Sequence, residues 1–354
     1  MSGTDQLSES VIKELMQKIE KAYEERCEQQ EKRAQLLSYL LSYLNKLNKQ
    51  QRIDILEFAS ERFPANELSE AFVRQASSLG ATLHSASSFS ESLTRATRKR
   101  QLSGFRNELE LNSKAIGYRF ARALGVEHPK QLTQPKPIEQ LDLNQLAVLK
   151  PTSGSSSNGI YILSDSLITE VKTGKAIAGE KALRERVSEL LSKKVIRNDR
   201  WVLEEYIGDE IQGRHIPARD LKFYCFYGEL GFVLEVDREH GGHYCEWLPD
   251  MTQAKTGRYR NSSFTGNGFT QEQVNCALAV SAAIPAPFMR IDFLRSENKF
   301  VFGEFTPRPG QYNAFNAHFD RYLGEQYLKA EARLQRDLIA GKTFGVFNKM
   351  VANK

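Results

Sequence analysis

The chain of 354 residues has little cysteine, little tryptophan and no long apolar run. Cys27, Cys225, Cys245 and Cys276 show no C-x-x-C spacing and no paired histidines at zinc spacing, which speaks against a disulfide framework or a zinc site. Cys225 lies in an apolar, strand-like run and is expected to be a small core residue. His215, His240 and His243 also stand at no metal-ligand spacing. No apolar stretch approaches the length that crosses a bilayer, so no transmembrane segment is expected. The opening MSGTDQLSES lacks the basic-then-apolar pattern of a secretory signal, and the expected location is cytoplasmic. The formal net charge of +5 suits an anionic ligand and is far too small to argue for nucleic acid.

Glycine and proline are missing from residues 7–47, which are rich in Glu, Lys, Gln and Leu, all good helix formers. Val11, Leu15, Ile19 and Ala22 recur at helical spacing, followed by Leu37, Leu40, Leu41, Leu44 and Leu47. Arg26 and Arg33 interrupt any coiled-coil seam, so a helical hairpin is expected, with 36–47 packing on a helix over 52–63. Pro64 breaks the pattern and 67–79 resumes it as far as Gly80. The Ser/Thr-rich stretch 81–92 reads as a loop. In the basic run Arg95, Arg98, Lys99 and Arg100, a solvated helix face competes with contact to an anion. The region carries no recognisable chemistry; self-association into a homo-oligomer, docking or substrate capture is the expected role.

Chemistry begins further along. Residues 112–125 read as a helix with Lys114 in its first turn, where a cation opposes the helix dipole and needs another partner unless it is simply a surface lysine. Residues 147–151 read as a short buried strand ending on Lys150-Pro151, followed by Thr152 to Gly159 and a second strand over 160–163. Gly154 and Gly159 have P-loop spacing, but Ile160 and Tyr161 stand where Lys and Ser/Thr must follow, and the loop leads into a strand. A Walker-type NTPase is therefore disfavoured. A Gly/Ser loop entered by Lys150 still suits a triphosphate, against the plainer reading of a flexible hairpin loop.

A helix over 181–191 precedes the strand 201–207 and a turn at 208–210. Strands follow over 220–226, with Asp220 and Lys222 on one face, and over 231–236; a largely antiparallel sheet is expected. Residues 240–268 read as a long surface loop and 271–283 as a helix. The last hairpin pairs 288–294 with 300–305. Alternation places Arg290 and Asp292 on one face, and Phe302, Glu304 and Thr306 on one face of the partner strand. A three-residue loop, 297–299, sets Asp292 opposite Glu304 and Arg290 opposite Thr306. Two adjacent carboxylates suit Mg²⁺ with phosphate as co-ligand; the alternative is an amphipathic hairpin with a surface Arg–Asp pair.

This ordered set, a lysine before a helix, Val148-Leu149-Lys150-Pro151, a Gly/Ser loop, Glu204-Glu205-Tyr206, Asp220-Leu221-Lys222-Phe223, and R-x-D followed by Gly303-Glu304-Phe305-Thr306 and P-G, resembles the ATP-grasp family. The resemblance covers roughly 107–344 and is greatest to the TupA-like branch, associated with teichuronopeptide and capsular polysaccharide biosynthesis. It implies an α+β, ATP-grasp fold, two α+β subdomains enclosing ATP, at 104–207 and 208–354, after an all-helical N-terminal region at 1–103. It also implies an ATP-dependent, Mg²⁺-requiring ligase that activates a carboxylate as an acyl-phosphate and passes it to an amine on a small-molecule, glycan or peptide-like anionic substrate. The alternatives are a phosphotransferase on the same scaffold and a non-catalytic assembly protein with a vestigial ATP site.

By the same resemblance, Lys114 and Lys150 contact the phosphates, and Gly154, Ser155, Ser156, Ser157, Asn158 and Gly159 close over them. Glu204 or Glu205 and the Tyr206 backbone read the adenine, and Glu210 the ribose. Lys222 faces the phosphates, Asp292 and Glu304 hold Mg²⁺, and Arg290 stabilises the transferred phosphoryl group. Thr306 takes the place of the family's usual third metal ligand, an Asn. The customary N-terminal α/β domain is not evident. Arg308 is the candidate for an anionic substrate group, with Gln311, Tyr312 and Asn313 beside it; a structural turn arginine is the alternative for Arg308.

Overall fold

The Gly- and Pro-free N-terminal stretch forms one helix, α1 (Glu9–Tyr43), followed by α2 (Lys49–Ser60) and α3 (Glu70–Leu79) in the unit Met1–Ser88. The structure is a computed structural model and describes residues 9–152, 158–164, 167–239 and 242–352. Asn48 caps α2 reciprocally with Gln51, Ser69 caps α3, and Gly80 closes α3 at φ +75°. Leu37 and Leu44 bury against Leu56, Ala59, Phe72 and Ala76, so the C-terminal part of α1 packs on α2 as its spacing predicts. The helix stops at Tyr43, earlier than the pattern, and Leu44–Lys46 tightens into a 3₁₀ turn. Val11, Leu15 and Ile19 share the spacing but are exposed, Ile19 by 68%, so only half of the periodic face finds a core.

The unit Phe89–Lys354 begins with α4 (Phe89–Ser103), inside the stretch expected to be a loop. Phe89 is fully buried against Tyr224, Phe226, Phe288 and Phe315, and this packing outweighs the local serine content. After α5 (Lys114–Ala123), the first sheet is built from β1 (Ala147–Pro151), β2 (Tyr161–Leu163), β3 (Ile168–Glu170), β4 (Lys175–Ile177) and β5 (Trp201–Glu205), in the order β4-β3-β2-β1-β5. The helix α6 (Gly179–Ser192) covers it with Leu183, Val187 and Leu190, packed in one cluster with Leu149, Tyr161 and Trp201. Strands β3 and β4, three residues each, are too short for alternation to reveal.

A small hairpin, β6 (Gly208–Ile211) and β7 (Arg214–Pro217), occupies the place of the expected turn; its polar, partly exposed residues disguise the strands. The second sheet contains β8 (Arg219–Phe226), β9 (Glu229–Asp237), β10 (His243–Trp247), β11 (Met289–Arg295) and β12 (Phe300–Thr306), in the order β10-β9-β8-β11-β12 with antiparallel ladders. Strand β10 corrects the reading of 240–268 as a surface loop: Cys245 is buried, and Glu246, Thr256 and Arg258 are buried in company. The helix α7 (Gln271–Ala282) packs on one face beneath Cys225, which is fully buried. Two helices left unassigned by the sequence reading, α8 (Ala317–Ile339) and α9 (Gly345–Ala352), complete the unit. The fold is α+β, with antiparallel sheets after a helical N-terminal region.

The expected cross-strand pairs are present, with Asp292 opposite Glu304 and Arg290 opposite Thr306. The reason differs from the one anticipated. Arg295 pairs with Phe300, leaving a four-residue loop, and a register shift beside Gly303 moves the ladder by one. A Cβ at Gly303 would stand 3.1 Å from the Asp292 carbonyl oxygen, so the bulge draws the strands close where only glycine fits easily. The shift also places Phe302 opposite Phe293, both fully buried, on the other face from Glu304. The expectation that Phe302 and Glu304 share a face is therefore wrong.

Candidate active site

Adjacent strands put one row of side chains on one face of the second sheet. Lys222 on β8 is opposite Asp292 on β11, which is opposite Glu304 on β12. Lys222 Nζ donates to Asp292 Oδ2 at 2.6 Å. Arg290 grips the same carboxylate with Nε on Oδ1 and Nη2 on Oδ2, both at 2.7 Å. Its Nη2 also donates to Thr306 Oγ1 at 2.9 Å and lies 3.8 Å from Glu304 Oε1. Asp292 is buried; the Glu304 side chain, 45% accessible, is the open carboxylate of the pair. Asp220 extends the group, receiving Lys222 at 3.2 Å and Arg238 at 2.6 Å.

The first sheet contributes a second buried pair. Strands β1 and β5 are neighbours with Val148 opposite Glu204, and Lys150 Nζ donates to Glu204 Oε2. Tyr118 on α5 donates its hydroxyl to the same oxygen at 3.2 Å. One turn earlier on α5, Lys114 has no hydrogen bond or ion pair among the described residues. Burial, and next the charge of Lys150, push its pKa down, while Glu304 and Glu204 oppose that shift. Burial also works against the charge of Lys150, but Tyr118, Glu204 and Glu304 outweigh it and hold its pKa high. Lys114, Lys150, Glu204 and Glu304 are thus one electrostatic group drawn from both sheets and α5.

The remaining sequence candidates are dispersed. Glu205 points to Lys299 and accepts the Lys130 backbone N–H at 3.1 Å. Tyr206 follows β5 with its ring 5.6 Å from that of His215, and exposed Glu210 lies opposite His215 on the β6–β7 hairpin. Gly154, Ser155, Ser156 and Ser157 lie outside the described residues; Asn158 accepts from Lys172 at 2.7 Å, and Gly159 adopts φ +72° beside Trp201. Arg308 is exposed beyond β12. Tyr312 and Asn313 line a cleft of about 450 Å³ with Ser90, Thr94 and Arg95, and Arg308 is not part of that lining.

Tyr118, Arg238 and Asp220 escaped the sequence reading as site members. The four-residue spacing of Lys114 and Tyr118 on one helix face, and the alternation of Asp220 with Lys222, were the available signals. Arg238 had none, because its reach to Asp220 depends on the β8–β9 pairing.

The acid limb of stability follows from these pairs. Burial raises the carboxyls of Asp292 and Asp220, but Arg290 and Lys222 around the first, and Arg238 and Lys222 around the second, outweigh it. Both pKa values are held below the ordinary 3.8. A carboxylate with a depressed folded pKa stabilises fully above its unfolded value and loses that contribution as pH falls toward the folded one. Urea midpoints of wild type and Asp220→Asn, followed by circular dichroism, are therefore expected to differ at neutral pH. The gap should close as pH falls below about 4; a constant gap would contradict the ion-pair account.

A comparison with curated proteins found no match. Among solved structures, the D-alanine–D-alanine ligase of Bacillus anthracis is 17% identical, with 64% of this chain and 69% of that one covered, at a TM-score of 0.39. The D-alanine–D-alanine ligase of Helicobacter pylori is 14% identical over 62% of this chain and 58% of its own, at 0.36. The ATP-grasp ligase PsnB, solved with a phosphomimetic variant of its minimal precursor, Mg and ADP, is 9% identical over 63% and 59%, at 0.36. The chain thus spans less than two thirds of the length of the latter two. Among the described residues no helix is long and apolar enough to cross a membrane. A family model described as TupA-like ATPgrasp matches residues 91–328, and the chain belongs to that family.

Proposed function

We propose that the chain is an ATP-dependent, Mg²⁺-requiring carboxylate–amine ligase acting on a glycan or peptide-like polymer of the cell surface. The observation that carries the reading is the row Lys222–Asp292–Glu304 with Arg290 locked against Asp292, whose open end, Glu304, acts electrostatically on Lys114 and Lys150. The donor set fits a Mg-triphosphate. Most cations of the wall are already balanced by carboxylates, but Lys114 lacks a counter-charge in contact and Glu304 is left open. Asp292 and Glu304 would hold the metal, and Thr306, which accepts from Arg290, would position that guanidinium and keep a lone pair for a coordinating water. When bound, Mg²⁺ neutralises phosphate charge and orients the transferred group.

The chain's own residues then supply position and charge rather than a nucleophile. Lys114, Lys150 and Lys222 hold the phosphates. The Glu204–Tyr206 segment receives the adenine, with Glu205 the alternative to Glu204 and Glu210 at the ribose. A substrate carboxylate oxygen bonds to the γ-phosphorus as its bond to the bridging oxygen breaks, giving an acyl-phosphate and ADP. Arg290 stabilises the charge on the equatorial oxygens. An amine then attacks the acyl carbon, phosphate leaves, the amine's proton passes to solvent, and an amide remains. Arg308 lies beyond the reacting strand as a contact for an anionic substrate group. The exposed Val11, Leu15 and Ile19 face of α1 would support association of two copies.

Product analysis tests the reaction. With ATP, Mg²⁺, a carboxylate panel and amines, release of ADP with equal free phosphate supports the ligase. ADP with a phosphorylated product and no free phosphate overturns it in favour of a kinase. If Asp292→Asn, Glu304→Gln binds Mg-ATP as tightly as wild type, the metal assignment is wrong.

A further inference from the structure

Burial along α1 changes halfway, while the pattern of its residues does not. At 3.6 residues per turn, Ile12, Ile19, Leu37 and Leu44 fall within about 40° of one another around the helix. Leu37 and Leu44 are buried against α2 and α3, with Leu40 and Leu41 beside them. Ile12 and Ile19, together with Val11, Leu15, Met16 and Tyr23, are exposed, Met16 by 66%. Every residue from Glu9 to Arg26 is exposed. This half of the helix, about 27 Å long at 1.5 Å per residue, therefore extends past α2 and α3. Its apolar stripe is bare among the described residues, although a helix draws most of its stability from burying such a stripe.

The boundary between the two halves is made by charge. Arg33 donates to Glu67, Nε to Oε2 at 2.5 Å and Nη2 to Oε1 at 2.8 Å, and the Glu67 side chain is only 2% accessible. Arg33 first, and Arg26 by its charge, hold that carboxyl below its usual range. The two arginines that break the stripe thus mark where cover from within the chain begins, with the 3₁₀ turn Ala65–Glu67 and then α3.

The polar side of the outer half decides what can cover it. Between residues 9 and 26 it carries five acids and four bases. That mixture suits a second helix, whereas a helix lying on an anionic membrane has a polar face rich in Lys and Arg. In a parallel pair, a second α1 would run on into the surface that Leu37 and Leu44 bury against α2 and α3, and the helices would have to part at Arg26. An antiparallel partner meets no such conflict. Centred on residues 17 and 18, the partner's helix starts level with Arg26 and brings the partner's Glu9 there. The same register sets Ile12 beside the partner's Tyr23 and Met16 beside the partner's Ile19. Lys13 and Glu20 share one border of the stripe, and antiparallel helices bring equal borders together, so Lys13 approaches the partner's Glu20. On the other border Lys18 meets the partner's Lys18, but each keeps its own Glu14 at 2.6 Å.

We infer that residues 9–26 of α1 pair antiparallel with the same segment of a second copy, leaving the two α2–α3 pairs at opposite ends of the shared stripe. The pairing does not depend on the reaction the chain performs. It assigns the outer half of α1 one occupant and one orientation.

Sedimentation equilibrium of the full chain should give a dimer. Ile12→Glu, Ile19→Glu should raise its dissociation constant by about 100-fold or more, since each copy loses two buried isoleucines. Tryptophan fluorescence, which reports Trp201 and Trp247 outside the segment, should stay that of wild type. Orientation is read by disulfide formation between cysteine variants, measured against Cys27→Ser alone, which keeps Cys225, Cys245 and Cys276. With Cys27→Ser in each, Ile12→Cys mixed with Tyr23→Cys should cross-link, and neither should link to itself. Self-linking of either variant alone would show a parallel pair and overturn the proposal. Absence of the mixed link, a monomeric wild type, or a dimer indifferent to Ile12→Glu, Ile19→Glu would each overturn it as well.

Discussion

Arg290→Met is expected to lose ATP-dependent turnover by ~10³-fold or more while retaining Mg-ATP binding within a few-fold, because an arginine on a transferred phosphoryl group acts mainly in the transition state. Arg290 makes two bonds to Asp292 and one to Thr306, so its plane is fixed before substrate arrives. Methionine keeps the apolar stem and removes all three bonds. Lysine keeps the charge but cannot reproduce the fork, so Arg290→Lys should recover little of the rate. Arg290→Met leaves Asp292 with Lys222 alone, and both variants should be checked by thermal unfolding alongside activity. A variant that folds and turns over at the wild-type rate would remove Arg290 from the reaction.

The second large effect falls on the other sheet. Lys150→Met leaves Glu204 buried with only the Tyr118 hydroxyl, and removing one partner of such a pair costs about 3–5 kcal/mol. For a unit of this size the expected fall in Tm is ~10 °C. Nucleotide affinity should fall as well, because Lys150 supplies charge to the phosphate side. Adding Glu204→Leu removes the stability effect. The double variant should regain much of the lost stability, since an apolar pair can replace a buried ion pair, yet still bind ATP poorly. Recovery of affinity together with stability would make Lys150 a structural residue only.

Where strands alternated cleanly, the residues announced their own arrangement. Strands β8 and β11 were legible because Lys222, Arg290 and Asp292 interrupt apolar runs at a period of two, and the family motifs lie on those strands. Phe89 was not legible. Its serine-rich neighbours read as a loop, and only its aromatic partners from β8, the residue before β11 and the segment before α8 make it the start of a helix. Strand β10 was hidden similarly, by glycine and histidine on its N-terminal side, although its pairing with β9 puts Glu246 on the reacting face. The pairing of Arg238 with Asp220, and the joining of Lys114 with Glu304, depend on contacts between elements far apart in sequence. No local pattern reports those.

The bulge at Gly303 makes it the one place in β12 where a residue can be removed without reassigning faces. Gly303 is the extra residue of the ladder, so deleting it alone would leave Phe302 opposite Phe293 and Glu304 opposite Asp292, and would only straighten the strand. Deleting Val301 instead would bring Phe302 opposite Leu294, on the face of Asp292, and take an aromatic ring out of the core. A one-residue deletion scan through the strand should therefore find its best-tolerated position at the bulge.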